Sequence, residues 1–246
     1  MSIDHEKAVA AGHAWLDARG FNLQAVLDCA SFPDALAQAW HDCGIIAAPE
    51  ERLVLLGMAG PGLWQWIRSQ NRTGGELFDF ASEEATAQVC EQFWGAAQPR
   101  LLYPGSIPIP LQQLGRWAGW ASPSPLGLDI SPDYGPWFAY RAAFLVDAPL
   151  AFTKIHPGGT LTPCAGCASQ PCVRACPAGA VHASRPFKVK PCLTQRLADT
   201  AGCGVSCASR LACPVGAAWR YSDEQLHYHG QRSLASLARW AQSQTD

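Results

Sequence analysis

A dense run of cysteines, CAGCASQPCVRACP, covers residues 164–177 and ends in Cys-Pro. A second run, CGVSCASRLACP, covers residues 203–214 and also ends in Cys-Pro, and Cys192 lies alone between the two. Together these segments hold eight of the eleven cysteines in the chain. Eight thiolates make two sets of four, which is the number that two cubane iron-sulfur clusters require, because each iron takes one thiolate.

Two-cluster ferredoxin-type domains suggest how the cysteines divide. In such domains the last cysteine of each run, the one before proline, binds the cluster of the other run. The pattern predicts two 4Fe-4S clusters, with Cys164, Cys167, Cys172 and Cys213 as metal ligands of one and Cys176, Cys192, Cys203 and Cys207 as metal ligands of the other. We call these groups the first and the second cysteine set.

Zinc, disulfides and a single cluster are the alternatives for the same thiols. Three of the spacings are looser than those usual in ferredoxins, and zinc would tolerate them. Structural zinc motifs give no reason for a proline after both final cysteines, and His182, His227 and His229 are not needed to complete a set of four ligands. Disulfides are rare in a reducing cytosol. The sequence therefore favours iron-sulfur chemistry and electron transfer.

Composition limits the classes of partner. The 246-residue chain is 48% hydrophobic and only 15% charged, with ten tryptophans, against an average charged fraction of about 25%. The net charge is -2, and no run of Lys or Arg provides the usual footprint of a nucleic-acid binder. The N-terminus does not resemble a secretory signal, and nowhere do 18 apolar residues follow one another. We expect a cytoplasmic protein that binds neither nucleic acid nor membrane.

Hydrophobic periodicity predicts a mixed α and β domain over residues 1–155. The expected helices cover residues 4–19, 33–43, a stretch after Pro61, a stretch from an N-cap at Ser82 to Trp94, and a stretch from Leu111 to Ala118. Strands are expected at 53–56 and 100–103. The segments 126–130 and 137–146 are expected to form a hairpin that enters a central sheet.

A Pro- and Gly-rich stretch after Asp147 predicts a boundary. We expect a ferredoxin-like iron-sulfur domain over residues 156–220. Ser222 and Gln225 form a capping box for a C-terminal helix that Gly230 could disturb. We expect this helix, within residues 221–246, to pack back on the first domain.

The order of these segments resembles the epoxyqueuosine reductases, which depend on cobalamin and are related to the reductive dehalogenases. The similar stretches are AGW, SPDYGPWFAYRAAFLVDAPL, the first cysteine run, KPCLTQRLA and CGVSCASRLACP, between residues 118 and 214. Cys192 matches the isolated ligand of that family, which supports the division proposed above.

A second resemblance involves ISPDYGPWFAYRAAFLV at residues 130–146 and RYSDEQLHY at residues 220–228. Both look like segments of the cytosolic cobalamin-processing proteins, which strip the upper ligand from cyanocobalamin and alkylcobalamins. Those proteins lack the iron-sulfur clusters. Both families share a nitroreductase-like α+β domain that holds cobalamin with its lower base displaced, so the resemblance implies such a domain here. It implies a cofactor wall formed by Gly119, Leu126, Gly135, Trp137, Phe138, Tyr140 and Arg141. For each of these seven residues, the alternative is that its side chain or backbone only packs within the sheet and contacts no cofactor.

The chain also departs from the epoxyqueuosine reductases. Their acidic proton donor lies in a D-S-A-P stretch, and the matching residues here are Gly105, Ser106, Ile107 and Pro108. Tyr134 or Tyr140 could donate a proton instead. The family's tRNA-gripping helical repeats have no counterpart after the last cysteine, so tRNA is not the expected substrate.

These observations predict an oxidoreductase in which the two clusters pass single electrons to a bound cobalamin or another corrinoid. An electron donor such as flavodoxin or ferredoxin would supply them. One alternative is a non-catalytic cobalamin carrier or ferredoxin-like electron shuttle. Another is an FMN-dependent reductase, because nitroreductase-like domains elsewhere hold FMN.

Overall fold

The structure is a computed structural model that describes residues 3–96, 98–155 and 162–243. It contains helices and strands together, which confirms the predicted α+β class. In chain order the elements are α1 (Ile3–Asp17), β1 (Leu23–Leu27), α2 (Asp34–Asp42), β2 (Arg52–Ala59), α3 (Gly62–Ser69), α4 (Leu77–Val89), β3 (Arg100–Tyr103), α5 (Leu111–Trp117), β4 (Ser122–Pro123), β5 (Asp129–Ile130), β6 (Phe138–Val146), α6 (Pro171–Arg174), α7 (Val189–Ala198), α8 (Ala208–Leu211) and α9 (Asp223–Ser243).

The chain forms two compact units that interleave along the sequence. The first unit comprises Met1–Trp120 and Phe138–Gly158, and the second comprises Ala121–Trp137 and Gly159–Asp246. The predicted boundary after residue 155 falls beside residues 156–161, which lie outside the described residues. The predicted domain limits differ from these units because the second unit includes both the segment before β6 and the C-terminal helix.

The first unit is built on a four-stranded antiparallel sheet in the order β1-β2-β6-β3. β2 is buried along almost its whole length, and β6 is buried on both faces except at residues 139–141, which are half-buried. Leu55 of β2 lies opposite Ala143 of β6, and neither is exposed to solvent. Burial on both faces explains why these strands appear in the sequence as continuous apolar runs rather than alternating ones.

Tyr140 of β6 is half-buried and packs closely against neighbours in the first unit. Its ring stacks on Trp120 with centroids 6.1 Å apart. A Cβ added to Gly115 of α5 would lie 2.2 Å from the Tyr140 ring. Glycine at position 115 therefore lets the α5 backbone approach this aromatic side chain.

Most predicted elements of the first unit are present, but the predicted N-cap at Ser82 is wrong. α4 begins at Leu77, five residues earlier, and Ser82 is fully buried inside it. Its hydroxyl donates to the carbonyl of Phe78, 2.7 Å away. A serine that satisfies its hydroxyl one turn back within a helix cannot be distinguished from an N-cap by residue type alone.

The predicted hairpin between residues 126–130 and 137–146 is also wrong. β5 pairs with β4 in a separate two-stranded sheet of the second unit. β6 pairs with β2 and β3 in the first unit. The intervening SPDYG turn closes on itself through a bridge between Ser131 and Gly135. Residues 126–130 and β6 are both apolar, but each packs in its own unit, so their apolar character does not mean that they pair with each other.

The second unit contains the small sheet and the helices α6 to α9. α6 packs against α8, and α7 packs against α9. Half of the predicted capping box is present, because the Ser222 hydroxyl oxygen accepts a hydrogen bond from the Gln225 backbone N–H at 3.2 Å. The buried side-chain amide of Gln225 makes no hydrogen bond to any described residue, so the reciprocal half is missing. α9 continues through Gly230 without a break. No helix among the described residues is both long and apolar enough to cross a membrane.

Candidate functional site

The first cysteine set lines one cavity of about 500 Å³ in the second unit. Cys164 and Cys167 lie in the turn before α6, and Cys172 lies within α6. Cys213, the cysteine before proline in the second run, follows α8 and faces the same cavity. A cysteine distant in sequence thus joins three from the first run.

The thiols of the first set affect one another electrostatically. The pKa of Cys164 is raised to about 11, mainly by burial, and the other three thiols of the set add to that increase. Burial also raises the pKa of Cys172, and Cys213 and Cys167 raise it further. Thiols can have this effect only when they lie near one another, so the four residues form one local group.

The second cysteine set lines a separate cavity of about 380 Å³ in the same unit. Cys176 follows α6, Cys192 lies within α7, and Cys203 and Cys207 flank the loop that precedes α8. Burial raises the pKa of Cys203, followed by the effects of Cys207 and Cys192. In both sets, the thiols that raise one another's pKa belong to the same set.

Cys176 is the thiol best prepared to act as a thiolate. Burial acts to raise its pKa, but hydrogen bonds from backbone N–H groups and from Ser209 outweigh burial and lower that pKa below its ordinary value. Among these donors, the N–H of Ala180 lies 3.3 Å from the sulfur. Such donors stabilise a sulfur that carries negative charge, whether it is free or bound to a metal.

Arg196 connects three walls of the second cavity. Its guanidinium donates to the carbonyl of Gly204 at 2.8 Å and to the hydroxyl of Ser233 at 3.1 Å. Arg196 therefore links α7 to the loop after Cys203 and to α9. Burial raises the pKa of Cys192, and the positive charge of Arg196 opposes that effect.

α9 forms one wall of the second cavity. His229, Gly230 and Ser233 all face the cavity from this helix. A Cβ at position 230 would lie 2.0 Å from the Val205 carbonyl oxygen, so only glycine permits this close approach. The sequence signal for this contact is the glycine in the middle of the predicted helix, which marks a close approach rather than a disturbance of the helix.

The predicted cofactor wall is divided between the two units. Gly119 follows α5, while Phe138, Tyr140 and Arg141 lie on β6 of the first unit. In the second unit, the predicted residues have different surroundings. Leu126 and Trp137 line the second cysteine cavity, and Gly135 lies against the backbone of Val215.

Arg141 packs against an aromatic ring of the first unit. Its guanidinium carbon lies 4.6 Å from the ring centroid of Phe78, and no carboxylate of the described residues forms an ion pair with it. The Arg141 guanidinium therefore makes a cation–π contact with Phe78.

The cysteines outside the two sets have the properties of structural thiols. Burial raises the pKa of Cys29 to about 12 and that of Cys90 to about 12. Cys43 donates its S–H to the carbonyl of Ala39 at 3.1 Å, inside α2. These three thiols are protonated near neutral pH and therefore unreactive.

Two of the histidines that the sequence left unassigned lie at the cavities. His182 lines the first and His229 lines the second. Within the described parts of the chain, no three His, Cys, Asp or Glu side chains converge as they would around a single metal ion. The thiols of each set surround a cavity instead.

No family model and no curated protein matches this chain. Among solved structures, its fold is similar to that of CblC, a B12-trafficking protein from C. elegans that is a homologue of human MMACHC. The two chains are 13% identical with a TM-score of 0.52, and the match covers 97% of each chain. At that level of identity the similarity concerns the fold.

Proposed function

We propose that this protein is an oxidoreductase that passes single electrons through two 4Fe-4S clusters to a cobalamin or another corrinoid, which it reduces or processes. The observation that carries the proposal is the arrangement of the eight cysteines in two sets of four. Each set lines a cavity of its own, and each set contains the Cys-Pro cysteine of the opposite run. This exchange of the last cysteine is the pattern of two-cluster ferredoxin-type domains.

The surroundings of the thiols also support cluster binding. A cubane presents four irons at separate corners, so its ligands must surround a space rather than meet at one point. Both cavities satisfy that requirement. The backbone N–H groups near Cys176 and the guanidinium of Arg196 provide the hydrogen bonds and positive charge that stabilise the anionic cluster and its thiolates.

The corrinoid part of the proposal depends on the fold and on the resemblances in the sequence. The similar solved structure is that of a B12-trafficking protein, and the segment 130–146 resembles cobalamin-processing proteins. We assign the corrinoid to the first unit, as a nitroreductase-like domain. Among the residues of that unit, Phe138, Tyr140 and Arg141 on β6 are the candidates to contact it.

The two kinds of cofactor would have complementary roles. Bound clusters would supply one-electron steps at low potential, since 4Fe-4S clusters reach about -700 mV at their lower limit. The cysteine thiolates would hold the irons, while α9 and the apolar cavity walls would limit the access of water. The first unit would hold the corrinoid, which would accept the electrons.

Absorbance spectroscopy under anaerobic conditions tests this function. Protein reconstituted with iron and sulfide is mixed with cobalamin and a chemical reductant, and the corrinoid bands are followed. We expect them to shift to those of cob(II)alamin or cob(I)alamin over several turnovers. A Cys203→Ser variant, which loses a ligand of the second set, should reduce the corrinoid at least tenfold more slowly. Equal rates in both proteins would exclude electron delivery through the clusters.

A non-catalytic cobalamin carrier is the second candidate, and the similarity to a trafficking protein favours it. The same experiment separates the two functions. A carrier would change the corrinoid spectrum on binding, in proportion to protein, without turnover when reductant is added.

A further inference from the structure

Positive charge is concentrated in the cysteine-rich part of the chain. Residues 162–220 contain seven of the 18 Lys and Arg residues but only one of the 20 acidic residues, Asp199. The remainder of the chain has eleven basic and nineteen acidic residues. The overall net charge of -2 therefore conceals a basic segment within an acidic chain.

Three of these cations lie close together in sequence, on the segment that leads into α7. Arg185, Lys188 and Lys190, which we call the basic rim, are all exposed. No carboxylate within the described residues forms an ion pair with any of the three. Between the two lysines, Val189 is 56% exposed, a high value for an apolar side chain.

The basic rim lies at the edges of both cysteine cavities. Arg185 lines the first cavity, and Val189 lines the second. His182, in the wall of the first cavity, has its pKa lowered by burial first and then by the charges of Arg185 and Lys188, which agrees with cations close to that wall. The rim therefore borders the places where electrons would enter.

We infer that the basic rim is the docking surface for an acidic electron-transfer protein of the flavodoxin or ferredoxin type. The inference rests on the function proposed above, because it assigns a purpose to charge at the edge of the cluster cavities. An exposed apolar residue surrounded by unpaired cations suits a transient complex, in which opposite charges guide the encounter and a small apolar contact brings the redox centres close. Nucleic acid is a less suitable partner because the three cations form a short cluster beside the cysteine cavities rather than an extended strip.

The step itself requires no bond making or breaking. The reduced donor loses one electron and is oxidised, and one cluster of this protein gains that electron and is reduced. No proton or other group is transferred. Surface charge would act on the association rate and on its salt dependence.

Binding of an oxidised plant-type [2Fe-2S] ferredoxin provides the test, measured by calorimetry with the full-length, reconstituted protein at low and at physiological salt. The test variant is Lys188→Glu with Lys190→Glu, since neither lysine lines a cavity and acidic residues suit the first turn of a helix. The control is Lys7→Glu with Arg239→Glu, which changes the net charge equally at exposed positions elsewhere. We expect affinity at low salt to fall at least tenfold in the test variant and less than twofold in the control.

Equal losses in the two variants, or no loss in the first, would overturn the inference. The inference would also be overturned if the unchanged protein bound tRNA, the test variant lost that binding, and ferredoxin binding stayed the same. That result would assign the rim to RNA. Oxidised ferredoxin needs no electron transfer in order to bind. The result is therefore independent of the iron and sulfide analysis, which tests the proposed function.

Discussion

Gly230 of α9 lies directly against the backbone of Val205, so that a Cβ at position 230 would lie 2.0 Å from the Val205 carbonyl oxygen. Val205 belongs to the loop between two cysteines of the second set. α9 can therefore close this cavity only while position 230 has no side chain.

The Gly230→Ala substitution should displace α9 from this loop and impair the second cluster while sparing the first. We expect iron bound per chain to fall from about eight atoms to about four after reconstitution. Gly166→Ala is the matched control, because Gly166 also lies beside cysteines of the second unit but has no atoms within 4 Å of an added Cβ. Equal iron contents in the two variants would show that α9 has no part in the site.

Double substitutions of cysteine test how the ligands divide. Cys213→Ser combined with Cys172→Ser removes two ligands of the first set, so the loss of bound iron should be about the same as for Cys213→Ser alone. Cys213→Ser combined with Cys176→Ser removes one ligand from each set and should impair both clusters. Iron analysis and electron paramagnetic resonance of the reduced proteins distinguish these outcomes. The opposite pattern would mean that each run of cysteines binds its own cluster.

Much of this division could be predicted from sequence because it depends on spacing. The sequence shows a proline after Cys176, a proline after Cys213 and an isolated Cys192. These three features are enough to predict the two sets. The first unit was also largely predictable, since β2 and β6 appear as continuous apolar runs and Gly20 and Gly44 mark the ends of helices.

The sequence did not indicate which segments pack or pair with one another in the fold. Residues 126–130 and β6 both have strand character, but their short separation suggested a hairpin, whereas they belong to different units. Nothing in the sequence singles out Arg196, because its contacts with Gly204 and Ser233 depend on how α7, a loop and α9 meet. The predicted wall residues were carried over from a resemblance, which does not specify how they divide between the units.

Alkylation of the cluster-free, reduced protein should depend on pH differently at two cysteines. The pKa of Cys176 is lowered and that of Cys164 is raised to about 11. Because the thiolate is the reactive form, Cys176 should react with iodoacetamide at a lower pH, and Cys164 should become fully reactive only as the pH approaches about 11. Mass spectrometry after short pulses measures both rates. The difference should disappear in urea, and parallel pH profiles in the folded protein would contradict the prediction.

Gly115→Ala should destabilise the first unit, because the new methyl group would overlap the Tyr140 ring. The expected loss in the free energy of unfolding is about 1–3 kcal/mol, as for other overpacked sites. Gly62→Ala is the control, since its added Cβ would meet the nearest atom at 3.6 Å, an ordinary contact. Urea unfolding measures both. A Gly115→Ala protein as stable as the control would show that α5 and Tyr140 can move apart at no cost.

The most direct test is the iron, acid-labile sulfide and zinc content of protein purified without oxygen, together with its Mössbauer spectrum. Two 4Fe-4S clusters predict about eight iron atoms and about eight sulfides per chain, with the spectrum of cubane clusters. Zinc without labile sulfide, or four iron atoms where eight are expected, would contradict the assignment of both cavities to such clusters.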